Sequence, residues 1–128
     1  MRKGFFLLAL IAVAAFSCQK DQKMAELRFC ADIIPTEPCV GEDTVFIRGT
    51  DVWAQLMLKP GFKDTAVIGD FYGWQNGERI FIERKVHPLD KDEKIVMEAL
   101  FLNICGNFEV EFYDTRGNLL AKRRFQII

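Results

Sequence analysis

The 128-residue chain is half hydrophobic and 27% charged, a balance that fits one ordinary folded domain and excludes both a disordered polymer and a bundle of membrane helices. Its formal net charge of −1 becomes −3 once Arg2 and Lys3 leave with the leader, because residues 1–17 carry no acid. That charge gives no electrostatic footprint for nucleic acid.

The leader comes first in chain order. Arg2 and Lys3 form a positive n-region, residues 5–16 an apolar h-region, and Ala15-Phe16-Ser17 a cleavage site flanked by small residues, so residues 1–17 read as a secretory signal peptide. Twelve apolar residues are too few to span a bilayer as a helix. Cys18 stands at the border where the chain turns polar. A small residue before it and another three before it resemble the lipobox of bacterial lipoproteins, in the looser form of Bacteroidetes, with Ala15 where Leu is usual and a bulky Phe16. The resemblance implies that Cys18 is diacylated and becomes the first residue of the mature chain. Each buried methylene of its acyl chains then contributes about 0.8 kcal/mol to anchoring. An ordinary secreted protein cut near Ser17 is the other reading.

Gln19, Lys20 and Asp21 follow directly. A charged tract here resembles the Bacteroidetes signal for export to the outer face of the outer membrane, although one acid stands where that signal has several. The alternative is a solvated tether over residues 18–24. The expected location is a lipid anchor in the outer membrane, at either the cell surface or the periplasmic face.

The domain over residues 25–128 reads as strands. Leu27, Phe29, Ala31 and Ile33 alternate with Arg28, Cys30 and Asp32, the period of a half-buried strand, until Pro35 and Pro38 remove ladder donors. Residues 39–47 give a glycine turn and a β-branched run. Residues 52–58 place Val52, Ala54, Leu56 and Leu58 on one face and Trp53, Gln55 and Met57 on the other, and residues 65–68 form a short fourth candidate. Asn76-Gly77 between residues 71–75 and 78–86 is a strong hairpin signal, because both residues tolerate the positive φ of a type I′ turn. Residues 91–104 fit a short helix, with Asp90 and Glu93 as a capping pair and Gly106 as its end, and equally a buried strand over 95–102. At the C-terminus Phe108, Val110 and Phe112 point inward, Glu109 and Glu111 outward, a glycine turn follows at 114–118, and residues 119–128 return as the last strand.

The Pro then Val-Gly-x-x-x-Val pattern at residues 38–45, the Gly106 start, the alternating strand, the turn at 114–118 and the closing strand resemble immunoglobulin-like and PKD-like domains. That resemblance implies a mainly β fold, an immunoglobulin-like antiparallel β-sandwich of about seven strands. With Cys18 lipidated, Cys30, Cys39 and Cys105 remain for at most one internal bridge. In a sandwich of this order the turn near Gly41 and the connection before Gly106 share one end, which favours Cys39 with Cys105, a closure contributing about 4 kcal/mol. Cys30 with Cys39 is the rival pairing.

Catalytic patterns are absent from the sequence. His87, the single histidine, lies beside Pro88 at a strand end and reads as solvated, with no nucleophile pattern near it. No phosphate loop, zinc spacing or calcium loop occurs, so no metal, no cofactor and no enzyme activity is expected. What remains is binding. Tyr72 and Trp74 crowd the 71–82 hairpin, and Trp53 is either a core tryptophan or a third exposed aromatic. Two functions follow as expectations. One is a membrane-anchored structural or protein-interaction module of the bacterial envelope, loosely similar to small sandwich lipoproteins of secretion apparatuses. The other is a surface glycan-binding lipoprotein that stacks sugars on Tyr72, Trp74 and Trp53.

Overall fold

The computed structural model describes residues 24–34, 37–100 and 103–128. Cys18 and the tract Gln19, Lys20 and Asp21 lie outside the described residues. Ten strands are described: β1 (Ala25–Cys30), β2 (Asp32–Ile34), β3 (Glu37–Val40), β4 (Val45–Phe46), β5 (Val52–Leu58), β6 (Ala66–Gln75), β7 (Glu78–Pro88), β8 (Ile95–Leu100), β9 (Gly106–Tyr113) and β10 (Leu119–Ile127). They form a three-stranded sheet in the order β1-β5-β8, a five-stranded sheet in the order β4-β10-β9-β6-β7, and a β2-β3 hairpin. The fold is therefore mainly β and sandwich-like.

The two larger sheets face each other through the alternating apolar rows that the sequence announced. Leu27, Phe29, Ala54, Leu56 and Val96 come from one sheet and Val67, Phe71, Phe108, Val110, Phe112 and Phe125 from the other, all in one buried cluster. Phe125 is its centre: ring centroids of Phe29, Phe108 and Phe71 lie 4.7, 5.4 and 6.3 Å from it. Such ring pairs add to the burial energy by about 0.5–1.5 kcal/mol each. On the core face of β6 the chain uses Gly69, since a Cβ there would stand 2.9 Å from the Phe112 ring and 3.2 Å from a Glu98 carboxylate oxygen. The glycine is thus a close-approach position rather than a strand weakness.

Local chemistry explains the boundaries. Asn76 and Gly77 both adopt positive φ, 52° and 78°, and join β6 to β7 as the expected two-residue hairpin. Asp114 accepts hydrogen bonds from the backbone N–H of Arg116 and Asn118 and from the Asn118 amide, closing the turn before β10. Asp64 accepts the Thr115 N–H and hydroxyl, which ties the β5–β6 connection to that turn. Met24, whose carbonyl accepts from the Lys59 N–H, lies at the same pole.

The structure corrects five expectations. The helix alternative over 91–104 does not form: Asp90 N–H does donate to the Glu93 carboxylate, 2.9 Å away, but Asp92 sits at φ 69°, which ends the turn at once, and residues 95–100 pair with β5 as a strand. Residues 101–102 of the expected longer strand lie outside the described residues. The single strand expected over 27–33 splits into β1 and β2, and the short candidate at 65–68 is the start of the ten-residue β6. The sandwich is not wholly antiparallel, because β4 pairs parallel with β10. Finally, Cys39 bridges Cys30 and not Cys105, which is free and exposed. The β2–β3 hairpin holds the two Cα atoms 5.2 Å apart, within disulfide reach, so the local loop closes before a long one is needed.

Candidate functional site

The outer face of the five-stranded sheet carries the densest polar chemistry among the described residues. Strand alternation puts Asp70, Tyr72 and Trp74 of β6, Glu109, Glu111 and Tyr113 of β9, and Lys122 and Arg124 of β10 on that face. Register sets Tyr72 and Arg124 on either side of Glu109, and Asp70 and Lys122 on either side of Glu111. A glutamate on the outer face of a strand is ordinarily wet. Here Glu109 is 1% exposed and Glu111 is 4% exposed.

Arginines from the flanking strands lie flat across the sheet and cover them. Arg79, on β7, reaches over β6 and donates through Nη1 to Glu109 Oε1 at 2.8 Å and to Glu111 as well. Arg124, on β10, donates through Nε to Glu109 Oε2 at 3.1 Å. Each guanidinium also stacks on an aromatic ring: Arg79 lies 3.9 Å from the Tyr72 centroid and Arg124 lies 4.2 Å from that of Trp74. Arg84 grips Asp70 with two hydrogen bonds, at 2.7 and 2.9 Å. Tyr113 donates its hydroxyl to Glu111.

The electrostatics follow from this geometry. Burial pushes the Glu109 carboxyl up, but the hydrogen bonds from Arg79 and Arg124 outweigh it and hold the group below the usual carboxylate range. The bond to Glu111, with burial and the nearby charge, pushes Tyr113 up to about 12. Burial, then the charges of Glu111 and Asp70, raises Tyr72 as well. The acids lie beneath and the arginines above, so the face presents guanidinium and ring surfaces held in place by buried acidic side chains. Tyr, Trp and Arg are the side chains that most often anchor a protein partner.

A second polar group sits between the sheets. Glu98 of β8 points into the core and is 6% exposed, with Lys85 Nζ at 3.5 Å and His87 Nε2 at 3.4 Å. His87 is therefore not the solvated terminal residue expected. It lies on the inner side of β7 against Phe112, and its Nε2 is buried without a hydrogen-bond partner among the described residues.

Of the three aromatic candidates, the structure brings together two. Tyr72 and Trp74 share the guanidinium layer, whereas Trp53 is half-buried on the other sheet, its strand partners being Cys30 and Ala99. A hollow of about 490 Å³ between the 60–65 and 89–94 connections is lined by none of the three. Among the described residues, no three His, Cys, Asp or Glu side chains form a group that could hold a metal ion. Arg79, Arg124, Asp70 and the burial of Glu109 and Glu111 were missed in the sequence. The one signal there was the run of outward acids on β9 followed in sequence by the basic strand β10.

No family model and no curated protein matches the chain. Solved structures do. Two variants of the superoxide reductase (neelaredoxin) from Ignicoccus hospitalis match over 87% and 86% of this chain and 85% of their own, each with a TM-score of 0.51, at 10% and 12% identity. A further structure under the same name matches over 67% of this chain and 76% of its own, with a TM-score of 0.46 at 13% identity. At these identities the likeness is one of fold. It nonetheless corrects the expectation that the chain is not an enzyme, since proteins similar to it in fold are named as enzymes and a sheet framework of this kind hosts catalysis.

Proposed function

We propose that this chain is a lipid-anchored module of the bacterial envelope, with an immunoglobulin-like sandwich held at a membrane through Cys18, that engages a protein partner with the outer face of its five-stranded sheet. The observation that carries the reading is the layer of Arg79 and Arg124 stacked on Tyr72 and Trp74 over buried glutamates. Those arginines have already given up rotamer freedom to the acids beneath, so less entropy is lost when a partner orders them. Their stacking on Tyr72 and Trp74 also favours a protein over a stacked sugar ring, because one face of each aromatic is taken.

The position of Met24 at the pole of the 59–65 and 114–118 connections suits this reading, because an anchor attached on that side would leave the outer face of the five-stranded sheet accessible. Gln19, Lys20 and Asp21 then bear on whether that face meets a periplasmic or an external partner.

The test combines two arms in cells. Alkyne fatty-acid labelling is compared between wild type and Cys18→Ala, and a photocrosslinking residue is placed at Lys122 on the layer or at Glu26 on the other sheet. The reading expects label lost in Cys18→Ala, and one discrete protein adduct from position 122 that disappears with Trp74→Ala and is absent from position 26. Equal adducts from both positions defeat the proposed face, and label retained in Cys18→Ala defeats the anchor. Binding to a glycan array lost in Trp74→Ala moves the partner class from protein to sugar.

A further inference from the structure

We infer that the partner of this face is acidic: a protein segment that sets carboxylates on the free edges of Arg79, Arg84 and Arg124, with an apolar side chain on Phe81 between them. The inference rests on the outer face being a protein-binding surface and adds the chemistry that this surface selects. Charge there is sorted by depth. Asp70, Glu109 and Glu111 are buried, whereas the Arg84 and Arg124 side chains are 60% and 67% exposed, and Arg79 and Lys122 are exposed beside them. An arriving partner therefore touches cations, although the formal net charge of the chain is −1. On the other sheet Arg28 and Glu26 pair side by side at 3.3 Å with both reaching solvent, so that face is not sorted.

Guanidinium geometry sets what fits. Each guanidinium carries its N–H groups in a rigid fork, and two parallel ones match the two oxygens of a carboxylate. Among the described residues Arg79 donates through Nη1 alone, which leaves its Nε–Nη2 edge, and Arg124 donates through Nε alone, which leaves its Nη1–Nη2 edge. Arg84 gives its Nε–Nη2 edge to Asp70 and keeps the Nη1–Nη2 edge. The rings of Tyr72 and Trp74, with the acids beneath, stop the Arg79 and Arg124 planes from turning away.

Phe81 supplies the apolar element. It pairs with Tyr72 across the ladder, meets that ring edge-on at 5.7 Å and is 54% exposed. The register shift between Phe71 and Tyr72 leaves Ile82 as the extra residue of β7, so the outward residues of that strand run Arg79, Phe81, Arg84: cation, ring, cation. A segment with an apolar side chain between two acids matches that row. An anionic membrane is the other surface that cations could meet, but its field acts over a Debye length of about 8 Å. Over that distance the acids paired beneath offset most of the cationic charge. A carboxylate at hydrogen-bond distance instead meets the donor edges themselves.

The test titrates the full chain, purified in a neutral detergent, against two short fluorescein-labelled peptides: one of glutamates around a central leucine, the other with glutamines in place of the glutamates. Fluorescence anisotropy should show the acidic peptide binding about tenfold more tightly. Arg124→Gln should weaken it about tenfold, while Arg28→Gln on the other sheet leaves it unchanged. Circular dichroism confirms that each variant is folded before its binding is read. If Arg124→Gln does not fold, Lys122→Gln takes its place; it removes an ammonium 3.9 Å from Glu111 and should weaken the acidic peptide about threefold. Equal binding of both peptides, or an equal loss in Arg28→Gln, overturns the inference. So does capture by phosphatidylglycerol mixed micelles that is lost in Arg124→Gln with no peptide bound, which assigns the face to a lipid headgroup. If the acidic peptide fails while position 122 still yields its adduct, the protein-binding face stands and the acidic partner falls; if both fail, the face itself falls.

Discussion

Glu109 and Glu98 are buried carboxylates of the same sandwich, 1% and 6% exposed, but they are satisfied by different means. Glu109 faces away from the core and is buried by what lies on top of it: two arginines donate to its two oxygens at 2.8 and 3.1 Å, and each stacks on a ring. Glu98 faces into the core and has, among the described residues, the more distant Lys85 and His87, at 3.5 and 3.4 Å. A guanidinium is planar, carries five donors and can bond and stack at once, whereas an ammonium is a point charge on a flexible stem. The difference teaches that the outer layer is a built surface, whereas Glu98 is tolerated between the sheets.

The sharpest way to break the comparison is Arg79→Met. It leaves two buried carboxylates without their shared cation, and the melting temperature at pH 7 is expected to fall by about 10 °C, the largest loss among these variants. The loss has a pH signature. Glu109 is held below its ordinary value in the folded protein, so its contribution is present above the unfolded pKa and disappears as pH falls through the folded one. The gap between wild type and Arg79→Met should therefore shrink in acid; a gap of constant size across thermal melts from pH 7 to pH 3 would mean that packing and not charge is lost.

Cys30→Ser with Cys39→Ser ranks next. Opening a loop of nine-residue separation should cost about 2–3 kcal/mol in chemical denaturation, without disturbing the guanidinium layer at the other sheet. Glu98→Gln should change stability by less than about 1 kcal/mol, because removing a poorly paired charge from the interior offsets the weakened attraction to Lys85 and His87. If denaturation shows Glu98→Gln to be as costly as Arg79→Met, the two sites are equivalent after all. The smallest effect is spectroscopic. Tyr113 should titrate near 12 by ultraviolet absorbance and move back towards 10 in Glu111→Gln, since the hydrogen bond to Glu111 is the main cause of its rise. Because its folded value is the higher one, Tyr113 contributes stability below its unfolded pKa that is lost as pH climbs through the folded one.

Much of the sandwich was legible in the residues, for local reasons. Alternation from residue 106 predicts the first strand of the closing hairpin and its inward row of Phe108, Val110 and Phe112, the turn at 114–118 predicts a returning last strand, and Asn76-Gly77 predicts the β6–β7 turn. Residues 90–104 were not legible, because the same Asp90 and Glu93 that open a helix also close a turn, and the left-handed Asp92 decides between them. Composition likewise predicts an oxidising compartment and one bridge but not its partners, since strand pairing alone brings Cys30 to Cys39 and leaves Cys105 in solvent.

At the candidate site the division is equally physical. Period-two alternation suffices to put Tyr72, Trp74, Glu109 and Glu111 on outward faces, because side-chain direction in a strand is a property of the strand itself. That Glu109 and Glu111 share one surface with Tyr72 and Trp74, and that arginines from β7 and β10 seal them from water, depends on the strand order β10-β9-β6-β7. Direction is local, but neighbourhood across a sheet is set by which strands pair, and only the tertiary structure decides that.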